Sequence, residues 1–207
     1  MNTSIKAILG ISFAVGLAVP ALAGQASSTE HALTISTGAP TRAPVGWVEF
    51  CEENPSDCAA HPAGISEAPL TAKTWKVLVR INNLVNEQIR PMTDMEHYGV
   101  VEKWAYPDDG YGDCEDYVLL KRRMLSELGW PKQALLITVV RDTQGEGHAV
   151  LTVKTDKGEF VLDNQNPDVL PWSETAYRYV KRQSQFDPNV WVSLGDPRPA
   201  PATATSR

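Results

Sequence analysis

The run His148-Ala-Val-Leu-Thr-Val153, the turn Thr155-Asp-Lys-Gly158 and the run Glu159-Phe-Val-Leu-Asp163-Asn164 constrain this chain more than any other stretch. Two strand-like segments joined by Asp-Lys-Gly chemistry predict an antiparallel hairpin. With Asp156 and Lys157 as the central turn residues, Thr155 faces Gly158, Val150 faces Asp163 and His148 faces Gln165. Side chains alternate along a strand, so His148 and Asp163 share a face as diagonal neighbours within reach of each other. A one-residue slip would put them on opposite faces, so the pairing of these two groups depends on this turn. The preceding Ala134-Leu-Leu-Ile-Thr-Val-Val140 is a continuous apolar run suited to a central strand.

Two helices accompany the strands. Thr71 to Arg90 reads as a helix ended by Pro91, with a broad buried side of Trp75, Leu78, Val79, Ile81, Leu84, Val85 and Ile89. The second starts at Glu115 and stops at Gly129 and Pro131, with Val118, Leu119, Leu125 and Leu128 as its apolar stripe and Arg122 the polar interruption. Asp113 suits the N-cap and Asp116 the third position, approximating a capping box. Cys114 then sits in the first helical turn, behind a glycine-containing loop. Tyr177 to Gln183 reads as a strand with Tyr177 and Tyr179 on one face, or as a helix after a Ser173 cap.

Both ends read differently from the middle. Residues 1–23 carry one charge, Lys6, then an apolar stretch and Ala21-Leu-Ala23, which predicts an export signal cleaved before Gly24. The stretch is short for a span of about 20 apolar residues and is broken by Gly10, Gly16 and Pro20. Residues 24–42 read as a flexible lead-in, 43–196 as one folded domain, and the Pro-rich 197–207 as a disordered tail. A composition of 43% hydrophobic residues excludes wholesale disorder, and a net charge of −6 argues against a nucleic-acid partner. No other segment is apolar enough to span a bilayer, so the expected location is periplasmic or secreted.

That location gives the three cysteines meaning. Cys51 and Cys58 flank the turn-forming Asn54-Pro-Ser-Asp57 and predict a local disulfide. Cys114 is left over. At a helix N-terminus, unpaired N–H groups and the macrodipole favour a thiolate, while Glu115 and Asp116 repel one. Either the thiol is buried and inert, or an imidazolium or a metal ion offsets those carboxylates. Cys114 as nucleophile, His148 as base and Asp163 as the group that orients the base form the set that nucleophilic catalysis requires. His31, His61 and His97 have no comparable partner in the sequence.

Trp104-Ala-Tyr-Pro107, Gly112-Asp-Cys-Glu-Asp-Tyr117 with Lys121-Arg122, His148-Ala-Val-Leu151, Leu162-Asp-Asn164, Pro171-Trp172 and Arg182-Gln-Ser184, with Gly46-Trp-Val-Glu-Phe-Cys51 and Cys58 upstream, occur in this order. The set resembles the bacterial transglutaminase-like cysteine proteinases, a family that includes periplasmic LapG-type proteases of surface adhesins. The resemblance spans about Gly46 to Trp191. It implies an α+β, papain-like core with the cysteine helix packed on an antiparallel sheet. It carries Cys114, His148 and Asp163 over as catalytic residues. It implies calcium binding by acidic residues flanking the cysteine, matched here by Asp113 and Glu115 with Asp116 adjacent. It also implies an upstream tryptophan, Trp104, whose indole N–H joins the Cys114 backbone N–H as an oxyanion donor. Asn164 either assists His148, closes the pocket or ends its strand.

The reading is an exported cysteine endopeptidase acting on a protein or peptide substrate, a surface adhesin among the candidates. Acyl transfer to an amine and hydrolysis of a cell-wall amide use the same three residues. A calcium-responsive binding module without catalysis is the alternative from another class. The sequence is silent on oligomeric state.

Overall fold

The hairpin forms in the predicted register: Thr155 pairs with Gly158 and Leu151 with Leu162. The Thr155 hydroxyl closes the turn by donating to the Gly158 carbonyl at 2.7 Å and accepting from the Lys157 N–H at 3.1 Å. The computed structural model describes residues 33–60 and 67–196. The expected signal, the lead-in up to residue 32, the tail, His31 and His61 lie outside the described residues.

In chain order the elements are β1 (Ser36–Thr41), α1 (Val45–Glu53), α2 (Ala72–Gln88), β2 (Arg90–Pro91), α3 (Asp94–His97), β3 (Tyr111–Gly112), α4 (Cys114–Glu127), β4 (Leu135–Arg141), β5 (Gly147–Thr155), β6 (Gly158–Leu162), β7 (Leu170–Pro171), β8 (Arg178–Gln183) and β9 (Trp191–Gly195). Seven strands form one antiparallel sheet in the order β1-β9-β8-β4-β5-β6-β7. β2 and β3 pair separately and in parallel. The apolar run of β4 is central, as its continuous hydrophobicity predicts.

Strand alternation divides the core in two. Leu135, Ile137, Ala149, Leu151, Val153 and Leu162 pack with the helices, against Leu78, Val85, Tyr117, Val118 and Leu125. Val140, Val150, Val161, Trp172 and Tyr179 form a second cluster with Ile35 and Leu194. α4 packs on the sheet, mainly on β5, and α2 packs on α4. The arrangement is the α+β class expected, with the cysteine helix on an antiparallel sheet.

Three local expectations need correction. Ser36–Thr41, within the expected flexible lead-in, is an edge strand paired with β9. All six of its residues are exposed, so backbone hydrogen bonds hold it and no alternating pattern marks it. Leu128 lies one residue beyond the end of α4 and is exposed, so it leaves the apolar stripe. Arg122 is buried instead, donating to the carbonyls of Leu135 and Asp57. The capping box at Asp113 and Asp116 does not form: Asp113 stands at the N-cap position without a side-chain cap bond, and Asp116 accepts from the Ala105 N–H at 2.8 Å.

α1 carries the Cys51–Cys58 disulfide, as the sequence predicts, with Cα atoms 5.7 Å apart. Such a bond fits an oxidising, extracytoplasmic compartment. Among the described residues no helix is long and apolar enough to cross a membrane.

Candidate active site

His148 enters at the start of β5 and is 4% exposed. Its Nε2 lies 2.9 Å from Asp163 Oδ1. The same oxygen accepts from the Gln165 N–H at 3.0 Å, and the other oxygen accepts from the Tyr177 hydroxyl. Burial works to raise the Asp163 pKa, but hydrogen bonds from His148 and Tyr177 outweigh it and hold the carboxyl below its ordinary value. An ionised carboxylate only accepts, so Nε2 carries the proton and Nδ1 the lone pair. Nδ1 has the Gln165 side-chain amide at 3.4 Å.

Helix α2 fixes the Asp163 backbone. The Asn82 side-chain Oδ1 accepts the Asp163 N–H at 3.1 Å, and the Asn86 side-chain amide donates to the Asp163 backbone carbonyl at 2.8 Å. Asn82 is fully buried within the apolar side of α2, where an unsatisfied amide would be costly. That polar residue on an otherwise apolar helix face is the sequence signal for this contact.

Cys114 opens α4 and is the free cysteine. It lines a cavity of about 250 Å³ with Glu102, Trp104, Glu115, His148 and Ala149. Its thiol donates to Glu115 Oε2 at 3.0 Å. Burial pushes the Cys114 thiol well up, and the neighbouring Glu115 adds to this, while the Ala149 N–H, directed at the sulfur, works the other way. The carboxylate repulsion expected from the sequence is therefore present.

Its source is a cluster. One oxygen each from Asp94, Asp113 and Glu115 lie within 4.8 Å of one another. Burial, then the Asp94 charge, raises Asp113 to about 6; burial, then Asp113, raises Glu115 to about 9. Asp113 Oδ1 is buried with no partner, and Asp94 Oδ2 is held by the Lys103 N–H. A divalent cation that prefers oxygen ligands fits this donor set, since it supplies the missing partner and relieves the repulsion. Asp116, expected as a third ligand, stands outside the cluster with its carboxylate on Ala105. Burial raises it to about 8. Asp94 was missed, because the parallel pairing of β2 with β3 brings it to Asp113 and nothing in the local sequence announces that.

Trp104 lines the Cys114 cavity but is also core, 4% exposed and edge-on to Trp47 and Trp191. Its indole N–H donates to Glu102 Oε1 at 2.8 Å, so an oxyanion would have to take that donor from Glu102. Gly46 is required beneath it: an added Cβ would stand 2.2 Å from Trp104 Cδ1. Gly112 likewise sits where a Cβ would meet Asp116 Oδ2 at 2.6 Å. Asn164 does not reach the imidazole; its Oδ1 is buried without a partner, and Gln165 takes the place beside His148. His97, without a visible partner in the sequence, lies 2.7 Å from Asp109 Oδ2 and stacks on Tyr98.

A family model described as bacterial transglutaminase-like cysteine proteinase, Peptidase_C93, matches residues 37–199. Among solved structures, calcium-bound LapG of Legionella pneumophila is similar, at 25% identity over 59% of this chain and 72% of that one, with a TM-score of 0.50. Two further LapG structures from that organism align as well. One is 27% identical over 52% of this chain and 64% of that one, with a TM-score of 0.45. The other, EGTA-treated, is 23% identical over 59% and 72%, with a TM-score of 0.47. No curated protein matches the chain.

Proposed function

The chain belongs to the bacterial transglutaminase-like cysteine proteinase family, and from that premise we propose that it is an exported endopeptidase with Cys114, His148 and Asp163 as its catalytic residues. The observation that carries this is a buried His148–Asp163 pair, 2.9 Å apart, whose His148 lines the same cavity as a free cysteine at a helix N-terminus.

His148 Nδ1 takes the Cys114 proton, and the sulfur attacks the substrate carbonyl carbon. The resulting oxyanion is met by the Cys114 backbone N–H, with the Trp104 indole N–H as the second donor once it leaves Glu102. His148 gives its proton to the departing amine as the carbon–nitrogen bond breaks, leaving a thioester on Cys114. Water then attacks the thioester, passing a proton to His148; the carbon–sulfur bond breaks, the acyl group leaves as a carboxylic acid, and the freed thiolate recovers the proton from His148. Throughout, Asp163 fixes the tautomer and stabilises the imidazolium. A calcium ion held by Asp94, Asp113 and Glu115 would supply positive charge that offsets the carboxylates crowding the thiol. The substrate class is a protein or peptide chain, and surface adhesins are the first to assay. The proposed location is the periplasm.

The test is labelling with a thiol-reactive probe across pH, with and without chelator. With calcium present, Cys114 should react well below the ordinary thiol pKa of about 8.5, and His148→Ala should abolish this. Reaction only above that pH, unaffected by the histidine, would overturn the assignment. Released peptides against crosslinked products separate hydrolysis from acyl transfer. A Cys114→Ala protein with full biological activity would establish a binding module instead.

A further inference from the structure

We propose that Tyr177 is a positioning residue for the His148–Asp163 pair, its hydroxyl fixing the carboxylate that orients the imidazole. This rests on the peptidase reading above. Asp163 has two carboxylate oxygens to satisfy and is 2% exposed, so solvent does little of it. Oδ1 takes His148 Nε2 at 2.9 Å and the Gln165 N–H at 3.0 Å. Oδ2 takes the Tyr177 hydroxyl. Asn82 and Asn86 hold the backbone of Asp163 but leave the carboxylate plane free to rotate. Donors on both oxygens remove that freedom, which keeps Oδ1 in line with Nε2.

The ring contributes as well. Its centroid lies 5.4 Å from that of His148, with the planes tilted by 51°. Tyr177 and Asp163 both line a second cavity of about 360 Å³, which also carries Asp142, Asp168 and Glu174. The phenol hydroxyl occupies the oxygen of Asp163 that water from this cavity would otherwise reach. Donation from a neutral hydroxyl also draws charge from the carboxylate, which tempers its pull on the His148 proton. Other ionisable groups couple to this assembly: the Asp163 charge acts on Lys121 of α4, and Asp142 and Tyr179 act on Tyr177.

Tyr177→Phe isolates the hydroxyl, since the ring can keep its packing on the second core cluster. His148 is then titrated by NMR in four proteins: wild type, Y177F, D163N and the double variant. In Y177F the carboxylate loses a donor and becomes more basic, so the proton affinity of His148 should rise by about threefold or more. In the D163N background the same change should do nothing, because the hydroxyl acts through the carboxylate. Peptide hydrolysis by Y177F should fall about tenfold in kcat with little change in KM. An unchanged His148 midpoint, an equal effect with and without the Asp163 carboxylate, or a Y177F protein that fails to fold overturns the proposal. The NMR result needs no substrate. An inactive wild type would sink the peptidase reading while leaving this test readable.

Discussion

Asp116 is a carboxyl group with 0% exposure whose acidity burial has moved to about pH 8. Its folded-state pKa is raised above the unfolded value of about 3.9. The folded protein therefore holds a proton that the unfolded chain releases, and stability falls as pH rises through that interval. Glu115, raised to about 9, and Asp113, raised to about 6, act with the same sign. The buried Asp163 and Lys121 act the other way, outside the interval from pH 4.5 to 7. Asp163, held low despite its burial, matters below pH 4, and Lys121, which burial lowers to about 7, matters above it. In chelator, the melting temperature should therefore decline between pH 4.5 and 7, and Asp116→Asn should flatten part of that decline. Thermal unfolding followed by circular dichroism at four pH values decides it; a rising curve would contradict the assignment.

At the level of elements, the proposed cation site depends on β2 meeting β3. That two-residue parallel pairing sets Asp94, at the start of α3, beside Asp113 and Glu115. Calcium should therefore raise the melting temperature of the whole protein, because a ligand bound only by the folded state stabilises it by mass action. Asp94→Ala should abolish that rise, and Asp116→Ala should leave calcium binding in place; isothermal titration with calcium chloride reads both. The same elements show what could be read beforehand. The β5–β6 register followed from one Asp-Lys-Gly turn and correctly joined His148 to Asp163, since hairpin register is a local matter. Cys114 was exposed as a candidate by its lack of a partner and by the helix after it. Asp94, Asn82 and Tyr177 were not legible as site residues. Each reaches the site through pairing or packing between segments distant in sequence, and a local pattern cannot encode that. β1 escaped notice because an exposed edge strand has no buried face to imprint a period of two.

For the whole molecule, α1 is tied at several points. Trp47 and Phe50 are buried, Trp47 meets Trp104 edge-on, and the disulfide joins Cys51 to Cys58. Asn189, in the turn between β8 and β9, donates to the Cys58 carbonyl at 2.8 Å. Removing the bond with a Cys51→Ser, Cys58→Ser double variant should lower stability by about 2–3 kcal/mol, as expected for a short closed loop. Chemical denaturation should show an earlier midpoint. Peptidase activity at low temperature should survive, because neither sulfur belongs to the cavity of Cys114.

The pairing of β1 with β9 carries a consequence for assembly. Ser36 lies against Gly195, so the first and last described strands share one edge of the sheet. The His148–Asp163 hairpin can form as soon as its own short segment is available, whereas that edge waits for nearly the whole domain to emerge. A chain threaded through a membrane from its N-terminus would thus reach the far side with its His148–Asp163 hairpin able to fold early and its sheet still open. The edge closes only once β9 is available to pair with β1. A product truncated before β9 would leave β8 as a bare edge, open to pairing with other chains and to proteolytic clearance.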